Sequence, residues 1–290
     1  MIFVILFSFY YNQNARMSLN KPIWKLRDWI DINKLDWDML SLNTNLKAIE
    51  LLEENPEKIN WSCLSFNKNA IKLLKGNEEK IDWYLLSNNK NAIEILKENP
   101  EKIDWDNLSR NPNAIHLLEE KPEKINWSYL SYNKNAIHLL EKNPDKIDWY
   151  NLPENTKAIK LIENNTDKII WKYLSLNKNG IKLLKENPET IDWYDLSLNK
   201  NAINILENNK DKINYKRLSS NPNAIELLKD NINKIDWYYL SANPSIFELD
   251  YDKMRENNQE IYEDLIKEVM KPSRVFKNPD YDYLEELFGD

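Results

Sequence analysis

The chain has 290 residues with a formal net charge of −7, from 40 Lys and Arg against 47 Asp and Glu. Three glycines leave almost nothing for glycine-built phosphate loops, and the single cysteine, Cys63, excludes an intrachain disulfide and suits a reducing compartment. From residue 245 to 290 there are 13 acidic and 6 basic residues, so the other 34 of each sign cancel. An acidic tail on a neutral body argues against general affinity for nucleic acid.

Ile2 to Tyr11 is an apolar run too short to span a bilayer. It lacks the basic start and small-residue cleavage site of a signal peptide, and Met17 opens an ordinary soluble sequence. Residues 1–16 are therefore read as an apolar extension outside the folded body. A signal or anchor, or a packed strand or helix, are the alternatives. Residues 17–36 are read as an N-terminal cap.

From there a single sentence repeats. Trp61, Trp83, Trp105, Trp127, Trp149, Trp171, Trp193, Tyr215 and Trp237 stand 22 residues apart, with Trp37 24 before the first. A fixed period of this length signals a repeat architecture, in which each unit buries its apolar face only against its neighbours. Asp or Asn precedes most heads and should N-cap a first helix, A. Asn stands six residues after every head, followed by Pro at Pro112, Pro222 and Pro244, which predicts the start of a second helix, B, with Asn as its cap. Helix B carries Ala-Ile-x-Leu-Leu on one side and ends before a second Asn-Pro. Trp, Leu, Ala and Ile should all be buried between layers, the Asn ladder satisfying loop backbone at each A–B turn.

The predicted fold is all-α: a right-handed α-solenoid of about ten two-helix repeats of 22 residues over 37–247, with capping segments at both ends. Open stacking would make a rod on the order of 80–100 Å long. No strand is expected beyond a possible N-terminal one. A C-terminal capping segment follows at 248–279, its helix read over 258–270 from apolar residues at 261, 262, 265, 266, 269 and 270. An acidic-aromatic tail occupies 280–290.

The run Asn111 to Trp127, Asn-Pro-Asn-Ala-Ile-x-Leu-Leu-x-x-x-Pro-x-Lys-Ile-Asn-Trp, resembles tandem-repeat proteins encoded by giant DNA viruses of the mimivirus and phycodnavirus kind. The resemblance runs from about Trp24 to Arg274 and takes in Leu26-Arg27-Asp28-Trp29-Ile30 and Asn243-Pro244-Ser245-Ile246-Phe247-Glu248. Lys271-Pro272-Ser273-Arg274 resembles a His-Pro-Ser-Arg element of that family, with Lys271 replacing the histidine. It implies a fold and a source, hence the cytoplasm of an infected host cell or the virion rather than secretion. It carries over no functional residue.

Nothing in the chain assembles into a catalytic group, and no cofactor or metal is implied. His116 and His138 fall on the polar side of helix B one unit apart, too distant for one zinc, and Cys63 has no histidine to activate it. The recurring acid-lysine pairs, such as Glu101-Lys102 and Glu123-Lys124, read as a solvated charge ladder.

One surface departs from this pattern. The face of helix A opposite Trp and Leu carries Phe66, Tyr84, Tyr129, Tyr132, Tyr150, Tyr173, Tyr194, Tyr238 and Tyr239, whereas the outward face of helix B is charged or polar. An aromatic row suits recognition, because Tyr offers large contact area at low entropic cost; sideways packing between neighbouring A helices is the competing reading. The expected function is a non-enzymatic, monomeric scaffold that binds a protein partner, viral or host, along that outer face of helix A. A structural component of a virion or viral factory is one alternative. The other is a single-stranded nucleic-acid reader, stacking bases on the tyrosines with help from Lys68, Lys90, Lys134, Lys178 and Lys200.

Overall fold

The structure is a computed structural model that describes residues 22–269. The expected extension 1–16, the 271–274 element and the tail 280–290 lie outside the described residues. The chain divides into two units, one of residues 26–247 and one of residues 1–25 with 248–290.

The repeats are helical with the predicted period. In the Trp105 unit, helix A spans Trp105–Arg110, helix B Ile115–Glu120, and a 3-10 turn Pro122–Lys124 leads to the next head. Helices this short are unstable alone, so the units hold only by stacking. The residue before the head caps helix A as expected: the Asn107 amide donates to Asp104 Oδ1 at 2.8 Å.

The sixth-position Asn does something other than cap helix B. It ends helix A, and helix B begins four residues later behind an alanine such as Ala114. Asn111 is fully buried, and its Nδ2 donates to Ser87 O at 3.0 Å and Asn89 O at 2.9 Å, both in the preceding unit. Its Oδ1 accepts from the Asn113 amide at 3.0 Å. The expected Asn cap with Pro behind it forms only where the repeats end, at Asn243 before the 3-10 turn Pro244–Ile246.

The same bonds overturn the open rod. Asn43, in the first unit, donates to Ser241 O and Asn243 O in the last, both at 2.9 Å. Two further ladders close at the same joint. Each unit's serine accepts the amide that precedes the next head, as Ser87 Oγ does from Asp104, and Ser241 Oγ accepts from Asp36 at 2.8 Å. A lysine near the 3-10 turn that ends each unit covers that unit's head in most repeats, and Lys34, which precedes the first head, covers Trp237 at 5.0 Å. Arg27 completes the joint, its amide donating to Ile246 O at 3.0 Å and its Nε to Ser245 O at 2.8 Å. Residues 26–247 are a closed circuit.

Helices A pack on one another at most joints of the circuit, including Trp237–Ser241 against Trp37–Leu40, while helices B lie farther apart. The A side is therefore the inside of the curve. The core is narrower than the sequence suggests. Leu64, Ala70 and Leu74 of the Trp61 unit, and their equivalents elsewhere, are fully buried. The Trp heads are only half-buried. Lysines expected in a solvated ladder cap them instead, Lys146 standing 4.7 Å from the Trp127 ring centre, a cation–π contact that shields the exposed face.

One joint is irregular. Pro153 replaces serine in the Trp149 unit, whose helix A is reduced to the 3-10 turn Leu152–Glu154. The next unit has Ile170 where the acidic cap belongs, so the serine and the cap are lost together. Gly180 replaces alanine here because a Cβ would stand 2.8 Å from Leu174 Cδ1.

Two strands also form, β1 (Trp24–Leu26) and β2 (Phe247–Leu249), paired as a two-stranded sheet. They exceed the single N-terminal strand allowed above. The C-terminal helix spans Tyr251–Val269, starting seven residues earlier than read from its apolar stripe.

Two outcomes follow. Asn133→Ala removes both donors to Ser109 O and Asn111 O. At about 1–3 kcal/mol for each buried group left unmet, it should cost about 3 kcal/mol in chemical denaturation. Asn135→Ala, which removes the bond to Pro112 O at the less buried rim, should cost about 1 kcal/mol. Second, a permuted chain with residue 247 joined to 26 by a short linker and new ends beside Lys121 should keep its helical circular dichroism and cooperative melting. Collapse of that permutant would mean that the ends are not neighbours in solution.

Candidate binding face

The aromatic row lies on the inside of the circuit. The face opposite Trp and Leu, read from sequence as the outer face of helix A, is the concave one. Its members divide into two sets. Phe66, Tyr84, Tyr150, Tyr194 and Tyr238 are open to solvent at 45–54% of their full exposure. Tyr129, Tyr132, Tyr173 and Tyr239 are half-buried and pack sideways.

Cations and paired rings account for that packing. The Arg110 guanidinium lies 5.1 Å from the Tyr129 ring centre and 4.3 Å from that of Tyr132. Lys216 covers Tyr239 at 5.0 Å, and Arg217 covers Tyr194 at 4.9 Å while bonding Asp195 Oδ1 at 3.1 Å. Tyr238 and Tyr239 meet edge-on, with centres 5.2 Å apart. Tyr150 and Tyr173, from adjacent units, have ring centres 4.6 Å apart and share a hydroxyl–hydroxyl hydrogen bond.

The electrostatics show inward side chains from separate units meeting. Burial raises the Glu154 carboxyl pKa; Arg110 opposes that shift, and Asp195, two units on, adds to it. Burial, then Glu154, pushes the Tyr132 hydroxyl up. Burial and the carboxylates of Asp38 and Asp36 likewise raise the Cys63 thiol, the reverse of what a nucleophile needs. His116 and His138 are exposed on helix B, with His138 Nε2 at 2.9 Å from Glu119 Oε1. No three His, Cys, Asp or Glu among the described residues are grouped to hold a metal ion. No helix among them is long and apolar enough to cross a membrane.

Sequence reasoning missed Arg110, Glu154, Asp195 and Arg217, which occur in single units and so left no periodic signal. It also missed the lysines that cover the heads. Lys34 carried a usable clue: it stands three residues before Trp37, as Lys58 does before Trp61, with no earlier unit to cover.

Comparison of the chain with models of protein families, with curated proteins and with solved structures gave no match in any of the three.

The tyrosine pair makes a pH prediction. The hydrogen bond to Tyr150, followed by burial, raises the Tyr173 hydroxyl to about 12. A group that binds its proton more tightly when folded stabilises the fold below its unfolded pKa. That contribution should fade as pH rises from about 10 to about 12. In a spectrophotometric titration one tyrosine should ionise late, and Tyr150→Phe should bring it back towards the ordinary range.

Proposed function

We propose that this protein is a non-enzymatic helical-repeat scaffold, monomeric, that holds a segment of a protein partner against the inner face of its A helices. One observation carries the reading. Five large aromatic side chains on the concave side of a closed circuit remain open to solvent. Rings held on stacked helices lose little freedom on contact, and aromatic anchors of this kind dominate interfaces. The half-buried tyrosines belong to the frame; Phe66, Tyr84, Tyr150, Tyr194 and Tyr238 are the contacts.

Ten units and a right-handed winding are part of the same reading, the ten being marked by the heads from Trp37 to Trp237. The resemblance to giant-virus repeat proteins extends it to the cytoplasm of an infected cell or the virion. A structural role is weaker, because a closed circuit offers no open end for head-to-tail assembly. A nucleic-acid reader with one base per repeat is weaker too, because its lysines would have to track a strand, and these converge on a centre.

Peptides selected from a random library on the full chain test the reading. Those recovered should bind the Tyr84→Ser, Tyr194→Ser, Tyr238→Ser variant at least about tenfold more weakly, about 1.4 kcal/mol or more. A control with His116, His138 and Lys160 changed to Ser should bind as the parent does. Peptides indifferent to the tyrosines would remove the inner face as the site.

A further inference from the structure

Five units carry lysine one residue after the buried asparagine: Lys68, Lys90, Lys134, Lys178 and Lys200. The backbone of four of them is held twice. The preceding Asn locks the turn, and Lys68 O, Lys90 O, Lys178 O and Lys200 O accept from Asn91, Asn113, Asn201 and Asn223 at 2.7–2.9 Å. The side chains therefore start from a rigid inner rim. None of the five takes part in an ion pair among the described residues.

These lysines meet across the circuit. Burial lowers the Lys68 ammonium pKa, and Lys90, Lys200 and Lys134 lower it further. Lys134 and Lys200 belong to units three and six further along the chain, and closure of residues 26–247 brings those units back towards Lys68 across the inner rim. A cavity of about 360 Å³ opens on one side of this rim, lined by two of the five, Lys68 and Lys90, with Leu42, Thr44, Phe66 and Pro112. Arg217 is paired with Asp195 at 3.1 Å, and Arg110 offsets Glu154. A chain of net charge −7 thus carries five lysines in register on one rim, none of them in an ion pair among the described residues. Like charges held together oppose the compact state, and a bound anion would relieve them.

We infer that this rim of lysines binds a compact polyphosphate anion, several phosphoryl groups carried on one small molecule. A single phosphate could engage only part of the rim, and an extended strand would draw its charges away from the centre. Each ammonium offers three donors to phosphoryl oxygens, as charge-assisted hydrogen bonds. The site rests on the lysines alone, independently of the tyrosine contacts.

Inorganic tripolyphosphate is the probe, titrated calorimetrically into the full chain at about 0.15 M salt, with orthophosphate and a twenty-nucleotide oligothymidylate as comparisons. Tripolyphosphate should bind near one per chain and raise the melting temperature, and orthophosphate should bind at least about tenfold more weakly. The K68Q/K134Q/K200Q variant should lose at least about tenfold in tripolyphosphate affinity. It should melt, free of ligand, no lower than the parent, since removing facing charges relieves repulsion. The control K72Q/K160Q/K229Q, on exposed positions of helices B, should keep parental affinity. Three results would each overturn the proposal: no binding by the parent at about 1 mM probe, equal losses in both variants, or tighter binding of the oligothymidylate through the same lysines. Loss of peptide binding on changing the tyrosines, with tripolyphosphate binding intact, would leave it standing.

Discussion

The carboxamide of the buried asparagine sets the spacing on which everything else depends. Its two N–H donors and its oxygen are all used within a short radius, the donors on two carbonyls of the preceding unit and the oxygen on its own turn. Aspartate could not donate, and glutamine would hold neighbouring turns farther apart. Helices A are drawn together at the inner edge, while helix B and the 3-10 turn fill the outer edge of each unit. Such a wedge stacks into a curve. At an open end the donors of Asn43 would have no preceding unit; in the circuit they find Ser241 and Asn243.

The apolar part of the fold is modest by comparison. A leucine on helix A, with alanine and leucine on helix B, forms the fully buried layer of each unit, and alanine is small enough to let the layers approach. The Trp ring closes the outer edge of that layer and is itself roofed by a lysine from the turn that ends its own unit. The joint at Pro153 and Ile170 shows which bonds are dispensable. Serine and acidic cap are lost together, yet Asn177 still reaches Pro153 O at 2.7 Å and Asn155 O at 3.1 Å. The ladder of asparagines is kept where the others are broken.

Closure gives the concave face a quality that an open stack lacks. Side chains from distant units are brought within reach of one another, so that Glu154 senses Asp195 and Lys68 senses Lys200. Part of the tyrosine row is consumed in building this wall, as where Arg110 lies over Tyr129 and Tyr132. What stays exposed is a set of rings above a set of unpaired ammonium groups, two chemistries on one side of one body.

The sequence by itself determined the unit: its period, its two helices, the acidic cap of the first and the leucine-alanine core, because each depends on contacts within one repeat or with its neighbour. It also singled out the tyrosines of helix A and the lysines of the turn, since both recur in register. Only the tertiary structure decided that the stack closes, because closure follows from a small angle accumulated over every joint, and no local residue pattern encodes that sum. With closure came the inward placement of the tyrosines, the donors that Asn43 directs at Ser241 and Asn243, the covering of Trp237 by Lys34, and the meeting of lysines from opposite sides. Those contacts join residues some two hundred positions apart, and their energy exists only once the circuit is complete.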